Sequence, residues 1–123
     1  MKIHREDGKG GLQVSSYGDG YIEIGEQRHT QSISLVGRDV LSHKQTVGPS
    51  SLSFADLEHL LQPRPEVILL GTGPSLTFPD MRIVRQFHDM GIGCDVMDSG
   101  AACRTYNILT GEGRTVAAWL LMP

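Results

Sequence analysis

At 123 residues the chain is long enough to bury one core without disulfides or a structural metal, and a composition of 39% apolar and 20% charged residues is that of a folded globular protein. Its net charge of −3, with 11 Lys and Arg against 14 Asp and Glu and no local basic cluster, speaks against nucleic acid as a partner. No run approaches the ~18 apolar residues of a membrane span, and the start Met1-Lys2-Ile3-His4-Arg5-Glu6-Asp7 lacks the apolar core of a secretion signal.

The first half reads as short strands. Leu12 to Tyr17 alternates loosely, Gly18-Asp19-Gly20 supplies turn chemistry, and Tyr21-Ile22-Glu23-Ile24 alternates apolar with polar, which predicts a hairpin. The alternation returns over 31–36, Gly37-Arg38-Asp39 turns the chain, and Val40 and Leu41 begin another strand. Residues 42–51 have no period and are read as a loop.

A helix is then expected with Ser53 as its cap, Asp56 completing a box-like pair and Leu52 and Leu57 spaced as a hydrophobic staple. Leu57, Leu60 and Leu61 form its apolar stripe, and Pro63 and Pro65 stop it. The apolar run 67–70 predicts a buried strand. A second helix is expected to open at Pro79, with Met81, Val84, Phe87 and His88 on one face, widened by Ile83 and Met90, and to end at Gly91. Residues 92–97 make the next strand, Ser99 is expected to cap a third helix through about Leu109, and 116–121 is the last strand, apolar throughout and therefore central.

The span between Leu70 and Ile92 accommodates a parallel crossover unit. The expected architecture is α/β: one compact domain over 1–123, with a mixed β-sheet, an antiparallel N-terminal meander, then a βαβαβ unit, and about three helices in all.

In such a unit the loops after the parallel strands share one edge of the sheet. Gly71, Thr72, Gly73 and Ser75 should therefore neighbour Asp98 and Ser99. Glycines at a strand end free backbone amides, and a helix start adds partial positive charge, so a small anion could sit between the two loops. Turn and cap chemistry alone also explains these residue types. A dinucleotide fits less well, because Leu76 replaces the third glycine of the fingerprint and Pro74 removes an amide.

Cys103 falls in the first turns of the third helix, beside Arg104. The five histidines are scattered and none pairs with it by spacing, so it is read as a core cysteine rather than a nucleophile. Cys94 and Cys103 have no metal-ligand spacing and are expected as free thiols in a reducing cytoplasm; no metal and no cofactor are expected. Tyr106 and Asn107 are read as ties between the helix and the antiparallel part, with a binding contribution from Arg104 or Asn107 as the alternative.

The order of Gly71-Thr72-Gly73, Met97-Asp98, Ala102-Cys103-Arg104-Thr105-Tyr106-Asn107-Ile108-Leu109, Glu112-Gly113-Arg114 and Val116-Ala117-Ala118 resembles domain of unknown function 498. That family includes many prokaryotic single-domain proteins, a mitochondrial respiratory complex I assembly factor and an adipogenesis-associated relative. The resemblance spans nearly the whole chain and is most specific over 67–120. It implies a compact α/β fold with a mixed sheet, no established enzymatic activity and a role in protein assembly.

Taken together, these features predict a non-catalytic protein-binding or assembly module that presents Gly71, Thr72, Gly73, Ser75, Asp98, Ser99, Arg104 and Asn107 to another protein. The alternative is a small-anion or metabolite-binding protein, or a minor enzyme using Cys103 or Tyr106.

Overall fold

The computed structural model describes residues 2–5, 11–43 and 45–123. Among the described residues nine strands, β1 (Lys2–Arg5), β2 (Val14–Gly18), β3 (Tyr21–Ile24), β4 (Gln27–His29), β5 (Ile33–Val36), β6 (Asp39–Ser42), β7 (Val67–Gly71), β8 (Gly93–Met97) and β9 (Val116–Leu120), alternate late in the chain with helices α1 (Arg82–Asp89) and α2 (Ser99–Gly111). The large sheet runs β1-β6-β5-β9-β7-β8 and the small one β2-β3-β4. Strand β7 pairs parallel with both β8 and β9, whereas β5 pairs antiparallel with β6 and β9. The sheet is therefore mixed, and β9 is central as expected.

The N-terminal meander divides between the sheets. The hairpin turning at Asp19 and Gly20 gains β4 and forms the small sheet, while β5 and β6 join the large one. Strand β4, Gln27-Arg28-His29, has no apolar alternation to announce it; it is fixed by pairing Ile22 with His29 and Ile24 with Gln27.

The large sheet is covered on both faces, which explains why β7 and β9 are apolar at every position. Val67, Leu69, Val116, Ala118 and Leu120 face one core, shared with α2 and the small sheet through Ala102, Cys103, Tyr106, Val14, Ile22 and Ile24. Ile68, Leu70, Ala117 and Trp119 face the other, shared with α1 and the segment 54–61. Neighbouring residues thus alternate faces with the two-residue period of a strand.

Phe54–Leu61 is a 3-10 helix rather than an α-helix. The Ser53 carbonyl already accepts the Asp56 amide at 3.1 Å, three residues on, which is 3-10 winding. Asp56 Oδ2 accepts the Ser53 amide at 2.9 Å and the Ser53 hydroxyl at 3.0 Å, so the predicted pair meets with the carboxylate as acceptor. Leu52 and Leu57 are both buried in the second core, as the staple requires.

Two expectations about α1 need correction. It starts at Arg82, not Pro79: Met81 holds the cap position, and Asp80 closes the turn just before it, its carboxylate accepting the Arg82 amide at 3.0 Å and its carbonyl the Ile83 amide at 3.0 Å. Its buried face is Ile83, Val84 and Phe87, while Met81 lies before the helix and His88 points to solvent.

Candidate functional site

The edge where β7 and β8 end is built by close backbone approach. At Gly71 a Cβ would lie 2.8 Å from Leu120 Cδ2, 2.9 Å from Ser99 Oγ and 3.2 Å from Ser99 Cα, so the bare strand end is what lets α2 start directly against it. The next residues lock the two loops together. The Thr72 amide donates to the Met97 carbonyl at 2.9 Å, the Gly73 amide to Ser99 Oγ at 2.8 Å, and the Ser99 amide to the Gly73 carbonyl at 2.9 Å. Gly73 holds φ at 99°, a conformation side chains other than hydrogen rarely adopt.

Ser99 is not the cap of α2. Asp98 is: its backbone is extended and its carboxylate accepts the Ala101 amide at 2.9 Å. Ser99 sits one residue inside the helix, fully buried, with its hydroxyl spent on Gly73. The amides of Thr72, Gly73, Ser99 and Ala101 thus all donate within the protein.

Thr72 organises the loop beyond the strand end. Its hydroxyl donates to the Ser75 carbonyl at 2.7 Å and accepts the Thr77 amide at 3.1 Å, which folds the loop 74–81 back over the end of β7. Ser75 is exposed, and the loop places Leu76, Phe78 and Met81 in solvent at 51%, 58% and 48% exposure. Leu76 thus stands outside at the position of the third fingerprint glycine, and α1 begins only at Arg82, so the loop does not run directly into a helix start as a pyrophosphate cradle does. Beside the edge, a cleft of about 340 Å³ lies between Thr72, Gly73, Pro74, Thr30, Gln31 and Leu121.

Arg104 and Asn107 look toward the small sheet. The Arg104 guanidinium donates to the Tyr17 hydroxyl and lies 5.9 Å from the Tyr17 ring centroid, flanking the helix start at Gly100. Asn107 pairs with the backbone of Val14. Six of the eight residues singled out from the sequence therefore form one edge, and the other two fasten α2 to the hairpin. Cys94 and Cys103 are buried in opposite cores, and burial pushes both thiols up to about 12, which leaves them without thiolate character near neutral pH.

A second polar cluster escaped the sequence reading. On β5 the fully buried Ser34 hydroxyl lies 2.7 Å from His43 Nε2 and 2.8 Å from His59 Nε2, with the imidazole centroids 5.4 Å apart. A hydroxyl has one proton, so Ser34 donates to one ring and accepts from the other, and both rings are satisfied as neutral imidazoles. Burial lowers both histidine pKa values; His59 lowers His43 further, while Asp56 opposes the effect at His59. The three residues come from β5, the position just after β6 and the 3-10 helix, and the one signal in the sequence was a serine inside an apolar strand.

Fold and edge define a small two-sheet α/β module in which the parallel-strand loops are closed on each other and an apolar loop is displayed beside them. Over residues 14–121 the chain matches the family described as Protein of unknown function (DUF498/DUF598), and it belongs to that family. It is 33% identical over 101 residues to the 13 kDa major membrane protein of Francisella tularensis subsp. holarctica, covering 81% of this chain and 80% of that one. It is 36% identical over 90 residues to the human NADH dehydrogenase [ubiquinone] 1 alpha subcomplex assembly factor 3, covering 73% of this chain but 47% of the assembly factor. Among solved structures, a Bordetella parapertussis protein superposes with a TM-score of 0.82 at 35% identity, covering 91% of this chain and 96% of that one. An outer membrane protein from Bartonella henselae superposes at 0.78 and 30%, covering 91% and 95%. No helix among the described residues is long and apolar enough to cross a membrane.

Proposed function

We propose that the protein is a non-catalytic binding module of the assembly-factor kind, and that it engages another protein through the edge from Gly71 to Met81. The observation that carries this reading is the loop 74–81. It is tied down by Thr72 yet leaves Leu76, Phe78 and Met81 about half exposed, an arrangement that loses burial energy in the free protein and recovers it against a partner. An aromatic anchor flanked by aliphatic side chains is the usual centre of such a contact. The similarity to a protein named as an assembly factor agrees with this role.

The alternative, a small anion or metabolite held at the glycine loop, draws on the cleft beside Thr72 and Gly73 but has less support. The amides of Thr72, Gly73, Ser99 and Ala101, which an anion between the two loops would need, already donate inside the protein. A minor enzyme has less support still, since both thiols are held protonated. We place the site of action in the cytoplasm, on free thiols that face opposite cores; fractionation of the source cells tests this, and recovery in the membrane fraction would overturn it.

Affinity capture from native extract tests the binding role, with wild type beside the doubly substituted Leu76→Ser/Phe78→Ser. A partner held by wild type and lost by the folded variant supports the reading, and equal retention contradicts it. These positions serve better than Gly73, where a substitution would strain the backbone at φ 99°.

A further inference from the structure

At the opposite end of the parallel strands, where β7 and β9 begin, a cavity of about 320 Å³ opens between the α2–β9 turn and the β5–β6 turn. This is the lower end of the range for small-molecule sites. Its walls are mostly apolar, formed by Leu12, Pro63, Pro65 and Val116.

Tyr106 lines this cavity from α2. The residue is 1% exposed, and its hydroxyl makes no hydrogen bond to any described residue; burial alone pushes its pKa up to about 12. A phenol buried to this degree ordinarily finds a partner, because an unmet hydroxyl costs about 1–3 kcal/mol. Among the described lining residues the charged ones are Arg64 and Arg114, with no carboxylate. Each guanidinium makes one bond elsewhere, Arg64 to the Met90 carbonyl and Arg114 to Glu66 Oε2, which leaves further N–H groups on both.

We propose that this cavity binds a small carboxylic acid with an apolar body, the body lying against Leu12, Pro63 and Val116, and the carboxylate accepting from the Tyr106 hydroxyl and an arginine. An apolar wall with a few N–H and O–H donors and no competing carboxylate among its described residues selects for that chemistry, since an uncharged analogue meets those donors more weakly. The site lies away from the loop 74–81, so it stands or falls separately from the protein-binding role.

The test is a titration of the full, 15N-labelled chain with 3-phenylpropanoate, beside 3-phenylpropan-1-ol, which has the same body and no charge. The expected result is saturable shifts of the Leu12, Thr115 and Val116 amides with the acid, and binding of the alcohol weaker by about tenfold, the loss of one charge-assisted hydrogen bond. Tyr106→Phe, which preserves the packed ring, and Arg114→Gln, on the exposed side, should each weaken the acid while leaving the spectrum of the free protein folded. Equal response to acid and alcohol, no saturation up to about 10 mM, where affinity falls below that of a useful small-ligand site, or unchanged affinity in both variants would overturn the proposal.

Discussion

The Asn107 carboxamide closes a two-bond ring with the backbone of Val14: its Oδ1 accepts the Val14 amide at 2.9 Å and its Nδ2 donates to the Val14 carbonyl at 2.8 Å. A side chain on α2 thereby stands in for a neighbouring strand at the edge of the small sheet. Replacing Asn107 by Ala leaves a part-buried donor and acceptor unmet, and chemical denaturation should show a loss of about 2 kcal/mol. Asn107→Asp should cost at least as much, because the carboxylate replaces a donor and faces the Val14 carbonyl. A loss below about 0.5 kcal/mol, the range of ordinary surface changes, would show that the ring contributes nothing to docking the hairpin.

Gly71 and Gly111 make a matched pair of substitutions. At Gly71 the added methyl meets Ser99 and Leu120 at 2.8–3.2 Å, and part of that is backbone that cannot swing away. Gly71→Ala should destabilise by about 1–3 kcal/mol, the usual cost of overpacking. At Gly111, the last residue of α2, a Cβ meets nothing within 4 Å, and Gly111→Ala should be neutral or stabilise by up to about 1 kcal/mol through helix propensity. Equal responses at the two sites in thermal melts would contradict the close approach at the strand end.

The Ser34 cluster makes stability depend on pH. Both histidines have folded-state pKa values below the ordinary 6.5, so below that pH the unfolded chain binds more protons than the folded one and stability falls. The contribution is whole above about pH 6.5 and is lost as pH drops toward the lowered values. Protonating the accepting ring also turns two N–H donors onto one hydroxyl, whose own proton then lacks an acceptor. Other charges bearing on the pair are Asp56, which favours the charged form of His59, and the amino terminus, which disfavours that of His43. Urea midpoints for wild type should decline between about pH 7.5 and pH 5.5, on either side of the ordinary histidine value; the decline should be shallower in His59→Gln and in His43→Gln. A variant profile as steep as that of wild type would place the pH dependence elsewhere.

Much of the scaffold could be read from single elements because burial imposes a local pattern. Val67–Gly71 and Val116–Leu120 have apolar residues on both faces, which only a doubly covered strand requires, and the neighbourhood of Gly71 and Asp98 came from parallel pairing alone. Local competition was harder to read. Asp98 and Ser99 are both good caps, and the choice was settled by the Gly73 amide, which claims the Ser99 hydroxyl from across the fold. Met81 and His88 fit a helical face by spacing but lie off the core, because Met81 precedes the helix and the face it buries is that of Ile83, Val84 and Phe87. Ser34, His43 and His59 meet only after three elements pack, and no periodicity within one of them records the meeting. The exposure of Leu76 and Phe78 was equally hidden, since composition alone does not tell a displayed apolar residue from a buried one.

That displayed loop should be dispensable for folding. Leu76→Ser and Phe78→Ser remove side chains that are 51% and 58% exposed, so each should change stability by no more than about 0.5 kcal/mol. A loss near 2 kcal/mol in either would mean that the side chain supports the free protein and is not held out for a partner.

The most direct test of the binding role is site-specific photo-crosslinking in the source cells, with a photoreactive residue at position 78 and a control at the exposed Glu112 beyond the far end of α2. A discrete protein adduct from position 78 that is absent from position 112 is the result expected if the loop 74–81 docks a partner. Adducts of the same pattern from both positions, or none from position 78, would contradict it.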